Sequence, residues 1–522
     1  MTREIGNRWF MKRKSSQWIA GLLTLALPSL ASCKLQHKSD GEKLARQYCA
    51  ACHAFPEPQL LDKKTWETGV LPQMAARLGA GTPSLYEAPP DPHMMVLPKG
   101  VSEGEWDKIV RYYLELAPAA LPTQALPAEP QLDPAFFTVV SFVPRLQSSA
   151  IITLLKTDST HERIFVGEAG SNTLRIFDWN RKLISSLALA SPPTDVIVEG
   201  DSILVLEAGI LNPNDEPKGT LVQYAFPDAD SLRSPRVLID SLFRPVFVQH
   251  FDFDKDGVSD FLICEYGNNI GRLALYKHNG SAFQRQVLDP GPGAIRFEIR
   301  DMTGDGAPDI VALFAQADER IVMFENDGKG NFSRRQRVLA RFPPVYGSMF
   351  FSMHDFNGDG HPDILYVNGD NFDYSRVLKP YHGIRILEND GKNNFHERFF
   401  FPVYGAARAE VADFDKDGDL DILATSNFAD PQGHPERGIM FFENIGGYRF
   451  RPFAFSVASR NQWNLTATAD LNKDGWLDVV VGAMDLESVG KLQRQFSGKQ
   501  SESRKDPLLL FENRMQANSN TR

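Results

Sequence analysis

The sequence predicts a small all-α domain followed by an all-β domain built from repeats. Two observations carry this prediction. The motif Cys49-Ala50-Ala51-Cys52-His53 lies between two stretches of helical periodicity. Further along, five acidic loops start 49, 54, 58 and 57 residues apart, and apolar runs typical of strands flank each of them. At 522 residues the chain is too long for one compact domain.

Residues 1–33 are typical of a bacterial export signal. Basic residues precede an apolar run at 18–27, which is too short to span a bilayer. The run ends in Leu30-Ala31-Ser32-Cys33, which resembles the lipobox of bacterial lipoproteins. The resemblance implies a lipid on Cys33 and an anchored protein in the periplasm, at the outer membrane or at the cell surface. Ordinary signal cleavage nearby, with Cys33 left as a thiol, is the alternative.

The C-x-x-C-H motif is the attachment signature of a c-type haem. Cys49 and Cys52 would form the thioether bonds, and His53 would ligate the iron. A thiol redox pair would require a βαβ context, and a zinc site would require a second C-x-x-C pair. The sequence offers neither, so we predict one covalently bound haem c.

The surroundings of the motif predict a two-helix frame. Capping boxes at Ser39–Glu42 and Ser102–Glu105 mark two helix starts, and Pro118 ends the second helix. Residues 34–117 resemble a class I cytochrome c domain, in which a glycine such as Gly41 lets the terminal helices cross closely.

That resemblance implies a methionine as the sixth iron ligand. Met74 lies in a Leu-Pro-x-Met sequence that is similar to cytochrome domains fused to repeat proteins, and we rank it first. Met94 and Met95, which precede the last helix, are alternatives, and His93 is a weaker one.

A proline-rich segment at 118–134 predicts a semi-rigid, extended linker between two domains. The repeat domain then covers 135–515, and we expect 516–522 to form a disordered tail.

The five acidic loops predict sites for a hard cation. Alternating oxygens, a glycine at position six and an Asp at position nine suit Ca²⁺, and flanking strands exclude an EF-hand. We predict up to five Ca²⁺ ions, with the second loop the poorest in ligands. Asp-Gly turns without metal are the alternative. The side chains at positions one, three, five and nine are Asp252, Asp254, Asp256 and Asp260; Asp301, Thr303, Asp305 and Asp309; Asp355, Asn357, Asp359 and Asp363; Asp413, Asp415, Asp417 and Asp421; Asp470, Asn472, Asp474 and Asp478.

These repeats resemble the FG-GAP or VCBS family over roughly 135–515, which implies a β-propeller. Five units carry the loop, and two loop-free units fit at about 147–190 and 192–240, which predicts seven blades. The last unit is one strand short, so residues 136–142 are expected to supply its outer strand and close the ring. Cys264 is expected to be an inert core thiol.

One insertion, at 368–383, is rich in titratable residues. Together with His354, its residues Asp370, Lys379 and His382 are weak catalytic candidates on one face of the ring. A solvated loop held by local hydrogen bonds is the alternative.

The net charge of −10 argues against a nucleic-acid partner, since phosphates require a basic face. We expect an electron-transfer protein whose propeller docks a redox partner protein or a glycan. The alternative is an oxidoreductase that passes substrate electrons to its fused haem, as in propeller dehydrogenases that use a quinone. An adhesion module with a vestigial haem is a third hypothesis.

Overall fold

A short helical segment precedes the strands. The structure, a computed structural model, describes residues 39–80, 96, 100–142, 151–225, 235–280, 282–332, 336–370, 375–485 and 506–515. The helices are α1 (Asp40–Cys49), α2 (Lys63–Thr65), α3 (Leu71–Arg77) and α4 (Glu103–Leu116), with a 3-10 turn at Pro58–Leu60 and a π-helical turn at Trp66–Val70.

Helices α1 and α4 cross closely, as the sequence predicts. A Cβ on Gly41 would lie 2.4 Å from the carbonyl oxygen of Lys108 and 2.9 Å from the Cβ of Tyr112, so only glycine permits this approach. The predicted capping box at Ser102 and Glu105 is present in full at the start of α4.

Twenty-nine strands follow within the described ranges, and they form seven sheets. Strands β1 (Gln131–Leu132) and β2 (Phe137–Ser141) precede the first blade. Blade 1 contains β3 (Ile152–Asp158), β4 (Arg163–Glu168), β5 (Thr173–Asp178) and β6 (Leu183–Ala188). Blade 2 contains β7 (Pro193–Glu199), β8 (Ser202–Glu207), β9 (Gly219–Ala225) and β10 (Arg236–Leu242). Blade 3 contains β11 (Pro245–Phe251), β12 (Asp260–Glu265), β13 (Arg272–His278) and β14 (Phe283–Asp289).

The remaining blades repeat this order. Blade 4 contains β15 (Ala294–Arg300), β16 (Asp309–Phe314), β17 (Arg320–Phe324) and β18 (Gln336–Arg341). Blade 5 contains β19 (Ser348–His354), β20 (Asp363–Asn368), β21 (Gly383–Asn389) and β22 (Phe395–Pro402). Blade 6 contains β23 (Ala406–Ala412), β24 (Asp421–Ser426), β25 (Ile439–Asn444) and β26 (Phe450–Ala454). Blade 7 contains β27 (Trp463–Ala469), β28 (Asp478–Ala483) and β29 (Leu508–Asn513).

The ring closes through β2, which is the outer strand of blade 7. It pairs antiparallel with β29, from Phe137 opposite Asn513 to Ser141 opposite Leu509. The first strands of successive blades pack against one another, and β27 of blade 7 packs against β3 of blade 1. The predicted seven-bladed propeller, with closure by residues 136–142, is therefore confirmed.

Second strands form the most apolar layer of the propeller. In blades 3 to 7, every residue of β12, β16, β20, β24 and β28 is buried. Both faces of these strands are covered by neighbouring blades, which is why their sequences are continuous apolar runs. Cys264 lies in β12 and is fully buried, in agreement with a core thiol.

The proline-rich segment is attached to the propeller. Strand β1 adds to blade 6 by pairing parallel with β26. The side chain of Gln124 donates to the carbonyl oxygen of His382 at 2.9 Å, and its backbone N–H donates to the hydroxyl of Tyr404 at 2.9 Å. Residues Asp40–Arg522 form one compact unit, which includes the helices, this segment and the propeller.

No helix among the described residues is long and apolar enough to cross a membrane. The predicted lipidation site Cys33, the alternative iron ligands His93, Met94 and Met95, and the tail at 516–522 lie outside the described residues.

We predict that Gly41→Ala destabilises the helical segment, because the new methyl group overlaps the α4 backbone. Gly104→Ala is the matched control, since no atom lies within 4 Å of its Cβ position, and it should stabilise by about 0.5–1 kcal/mol through helix propensity. Thermal unfolding followed by far-UV circular dichroism measures both. Equal melting temperatures for the two variants would contradict the close crossing.

Candidate functional site

The C-x-x-C-H motif lies at the end of α1. Cys49 is its last residue and is half-buried, while Cys52 is exposed and His53 is half-buried in the turn that follows. Both cysteines are thiols without a disulfide partner. The structure therefore brings the three predicted attachment residues together on one turn, with one thiol reachable from solvent.

A backbone carbonyl group of the next residue orients the His53 ring. Its Nδ1 lies 2.9 Å from the carbonyl oxygen of Ala54, which fixes Nδ1–H as the donor and leaves the lone pair of Nε2 available to a metal. Burial lowers the pKa of His53, which favours the neutral imidazole that ligation requires. This arrangement fits a proximal haem ligand.

An apolar cluster packs against Cys49, the first residue of the motif. Burial raises the pKa of the Cys49 thiol to about 11. Buried Leu61, Trp66 and Tyr113 belong to this cluster, and half-buried Met74 on α3 packs against it. The cluster offers the dry surroundings typical of a haem pocket, and Met74 lies at its edge.

The propeller contacts this helical segment directly. The Tyr381 hydroxyl donates to the carbonyl oxygen of Leu60 at 2.9 Å. Val345, between blades 4 and 5, is part of the helical apolar cluster. Arg341 donates to the carbonyl oxygen of Cys52 at 3.4 Å and forms an ion pair with Asp318 at 2.6 Å. Propeller charges therefore lie beside the predicted attachment turn.

The acidic loops connect the first and second strands of blades 3 to 7, as predicted. In the first of them, the Asp252 carboxylate accepts from the backbone N–H of Asp256 at 3.1 Å and of Gly257 at 3.0 Å. The glycine at position six has a φ between 81° and 99° in all five loops, which L side chains rarely adopt. This backbone curls every loop around its first carboxylate.

The Asp at position nine is the first residue of the second strand in each loop-bearing blade. In blade 6, Asp421 Oδ2 accepts from the N–H of Phe414 at 3.1 Å, and its Oδ1 accepts from the N–H of Asn444 at 2.8 Å. Asp309, Asp363 and Asp478 make the same pair of bonds. The aspartate at position nine thus connects the loop to the end of the third strand through hydrogen bonds. The spacing of the motif alone did not predict this role.

Two loops bring three carboxylates close together. Carboxylate oxygens of Asp252, Asp254 and Asp256 lie within 4.8 Å of one another, as do those of Asp413, Asp415 and Asp421. In the first loop, Oδ1 of Asp254 and Oδ2 of Asp260 are buried without a hydrogen-bond partner. The other loops have Thr303, Asn357 or Asn472 at position three, so fewer charges meet there.

Burial raises the pKa of the aspartate at position nine of each loop. It raises that of Asp421 to about 8 and that of Asp478 to about 6, and the pKa values of Asp260, Asp309 and Asp363 also lie above their ordinary values. Nearby carboxylates add to the shift of Asp421. A cation in the loop would offset both effects, so the arrangement can hold a hard divalent ion.

The predicted catalytic cluster does not come together. His354 ends β19 opposite Asp363, whereas His382 precedes β21, which pairs with the far end of β20. The length of β20, about 17 Å at 3.3 Å per residue, separates the backbone positions of the two histidines. His382 is fully buried beneath the proline-rich segment, and burial lowers its pKa well below the ordinary value. Burial also lowers the pKa of His354 to about 4.

Lys379 and Asp370 lie on the His382 side of blade 5. Lys379 is buried, and its carbonyl oxygen accepts from the N–H of His382 at 3.1 Å. The backbone N–H of Asp370 donates to the carbonyl oxygen of Gly347 at 3.0 Å. These contacts are those of a packed loop, and residues 371–374 of the insertion lie outside the described part.

Two stretches of the chain match the family described as FG-GAP-like repeat, at 252–312 and 301–366. The chain carries FG-GAP-like repeats. The matches cover the acidic loops of blades 3, 4 and 5. No curated protein sequence matches the chain.

Solved structures that align with this chain include the N-terminal domain of Nup159. That match has a TM-score of 0.42 and 11% identity, and it covers 75% of this chain and 98% of that one. A nidogen/laminin complex gives a TM-score of 0.32 and 11% identity over 48% of this chain and 80% of that one. The Dos1 propeller gives a TM-score of 0.41 and 9% identity over 69% of this chain and 77% of that one.

Without a cation, the raised pKa of Asp421 predicts a pH-dependent stability. In the unfolded chain an aspartate has a pKa of about 4. The protonated side chain of Asp421 therefore contributes its full stabilisation below that pH, and this contribution is lost as the pH rises towards about 8. In excess chelator, the melting temperature should therefore fall between about pH 5 and pH 8.

If the loop holds a cation, added calcium should remove most of this fall, because an ion bound to the ionised loop would stabilise the folded state. The variant Asp421→Asn, which cannot ionise, is the control and should show a smaller dependence on pH in chelator. A melting temperature that changes with neither pH nor calcium would contradict this account of the loops.

Proposed function

We propose that this protein is an exported electron-transfer protein. Its helical segment carries one covalently bound haem c, and its propeller docks a redox partner protein or a glycan. Lipidation of Cys33 would anchor it to a membrane in the periplasm, at the outer membrane or at the cell surface.

The observation that carries the proposal is the turn formed by Cys49, Cys52 and His53. Two unbridged thiols precede a histidine whose Nδ1 donates to the carbonyl oxygen of Ala54, so Nε2 is available to iron. The haem, when bound, would supply reversible one-electron chemistry. The residues of the chain would hold it, orient His53, keep the pocket dry and offer Met74 as a sixth ligand, with Met94 and Met95 as alternatives.

We further propose that the acidic loops bind up to five Ca²⁺ ions, which stabilise the fold. Clustered carboxylates and the buried, unpartnered oxygens of Asp254 and Asp260 support occupation of the blade 3 loop. The second loop, with Thr303 at position three, remains the poorest in ligands.

For the propeller, we favour a role in docking over a role in catalysis. The titratable residues that could have formed a catalytic cluster are divided between two ends of blade 5, and His382 is buried. A platform that binds a partner near the haem requires no such cluster.

Production of the protein with a haem maturation system tests the proposal. The haem should remain attached during acid-acetone extraction, and Cys49→Ala with Cys52→Ala should abolish covalent attachment while leaving the propeller folded. Cys264→Ala is the matched control, and its haem content should equal that of the wild type. Complete release of the haem from the wild-type protein would refute thioether attachment.

The contact between Arg341 and Cys52 predicts that the propeller tunes the haem. A nearby positive charge favours the reduced state, so Arg341→Gln should lower the midpoint potential and Asp318→Asn should raise it. Arg337→Gln is the control, because Arg337, on the outer strand of blade 4, donates to Lys392 and Asn394 in blade 5 and not to the attachment turn. Spectroelectrochemical titration measures all four proteins, and shifts of the same sign in Arg341→Gln and Asp318→Asn would contradict the electrostatic account.

A further inference from the structure

Four neighbouring inner strands place aromatic and basic residues at the same level of the ring. Phe247, Arg296, Phe350 and Arg408 are the third residues of β11, β15, β19 and β23. Each follows the same register shift against its second strand, opposite Cys264, Leu313, Val367 and Thr425, respectively. The order around the ring is therefore Phe, Arg, Phe, Arg.

These side chains stack on one another. The guanidinium carbon of Arg296 lies 5.1 Å from the ring centroid of Phe247 and 4.6 Å from that of Phe350. The guanidinium carbon of Arg408 lies 5.0 Å from the same Phe350 ring. Because both arginines face one ring, their guanidinium carbons are no more than about 10 Å apart, and two positive charges share a small volume.

Arg296 has no acceptor for its protons among the described residues. Its Nε is buried without a hydrogen-bond partner, and no described carboxylate forms an ion pair with its guanidinium. A guanidinium carries five N–H donors, and leaving buried donors unsatisfied is unfavourable. Burial, followed by repulsion from Arg408, lowers the pKa of Arg296 to about 10.

The nearest carboxylates are engaged elsewhere. Glu298 accepts from the N–H of Met353 at 3.0 Å and from Arg300 at 2.9 Å. Glu410 accepts from the Thr466 hydroxyl at 2.6 Å, and its contact with Arg408 is long, at 3.5 Å. On the other side, Asp195 pairs with Lys156 at 3.0 Å. The two stacked guanidinium groups thus retain unused N–H donors, which would suit a ligand with oxygen acceptors.

We propose that Arg296 and Arg408 form a binding site for a small oxyanion, a carboxylate or a phosphate, between the inner strands of blades 3 to 6. The planar guanidinium pairs with two oxygens of either group. Two guanidiniums at this separation also suit the ends of a short dicarboxylate. The site uses neither the haem turn nor the acidic loops, so it does not depend on the function proposed above.

Isothermal titration of the full-length protein with inorganic phosphate and, separately, with succinate tests the site at constant ionic strength. We expect saturable binding of at least one of them. Arg296→Gln should abolish binding, and Arg296→Lys, which keeps the charge but loses the fork of donors, should weaken it at least tenfold. Preference for phosphate or for succinate identifies the class of oxyanion.

Arg337→Gln, on the outer strand of blade 4, is the matched control and should bind as the wild type does. If Arg296→Gln does not fold, Arg408→Gln carries the test, because its side chain is partly exposed, at 26%, and it should weaken binding at least tenfold. The proposal is overturned if the wild type binds neither anion at millimolar concentrations, or if the folded glutamine variants bind as tightly as the wild type.

Discussion

The propeller depends on a buried carboxylate at the start of each second strand in its loop-bearing blades. Asp421, like Asp363 and Asp478, joins the loop before it to the asparagine that ends the third strand. Asp309 joins its loop to Asn326, just after the third strand. Loss of this side chain would leave two backbone amides without an acceptor, at about 1–3 kcal/mol each. In blade 7, the asparagine that donates to Asp478 also links two blades, since Asn513 Nδ2 donates to the carbonyl oxygen of Phe414 in blade 6 at 2.9 Å.

This connection explains how one motif can serve two purposes. The side chains at positions one, three and five line the loop and would face a bound cation, while the ninth ties the loop to the sheet. A cation bound there would therefore act on a loop that is hydrogen-bonded to the sheet of its own blade. The helical segment benefits from the same rigidity, because Tyr381 and Val345, which hold it, lie in loops adjoining blade 5.

Much of the fold could be predicted because its signals are local. Each of these signals depends only on residues that are close in the sequence. They are the glycine at position six of each loop, the capping box at Ser102 and the apolar second strands. Contacts between distant segments left no such signal. Neither the attachment of Gln124 to the propeller, nor the separation of His354 from His382, nor the stacking of Arg296 on Phe350 follows from spacing along the chain. The Glu-Asn sequence after several third strands was a visible signal for the partner of the ninth aspartate, but its meaning required the sheet register.

We propose that one chain combines a covalent haem with exchangeable cations in a closed propeller. Mass spectrometry of the intact protein, made with a haem maturation system, tests both parts in one measurement. Under denaturing conditions the account predicts the mass of the processed chain plus one haem. Under native conditions it predicts further mass from bound calcium, which a chelator removes. A denatured chain without the haem mass would contradict the account, whatever its calcium content.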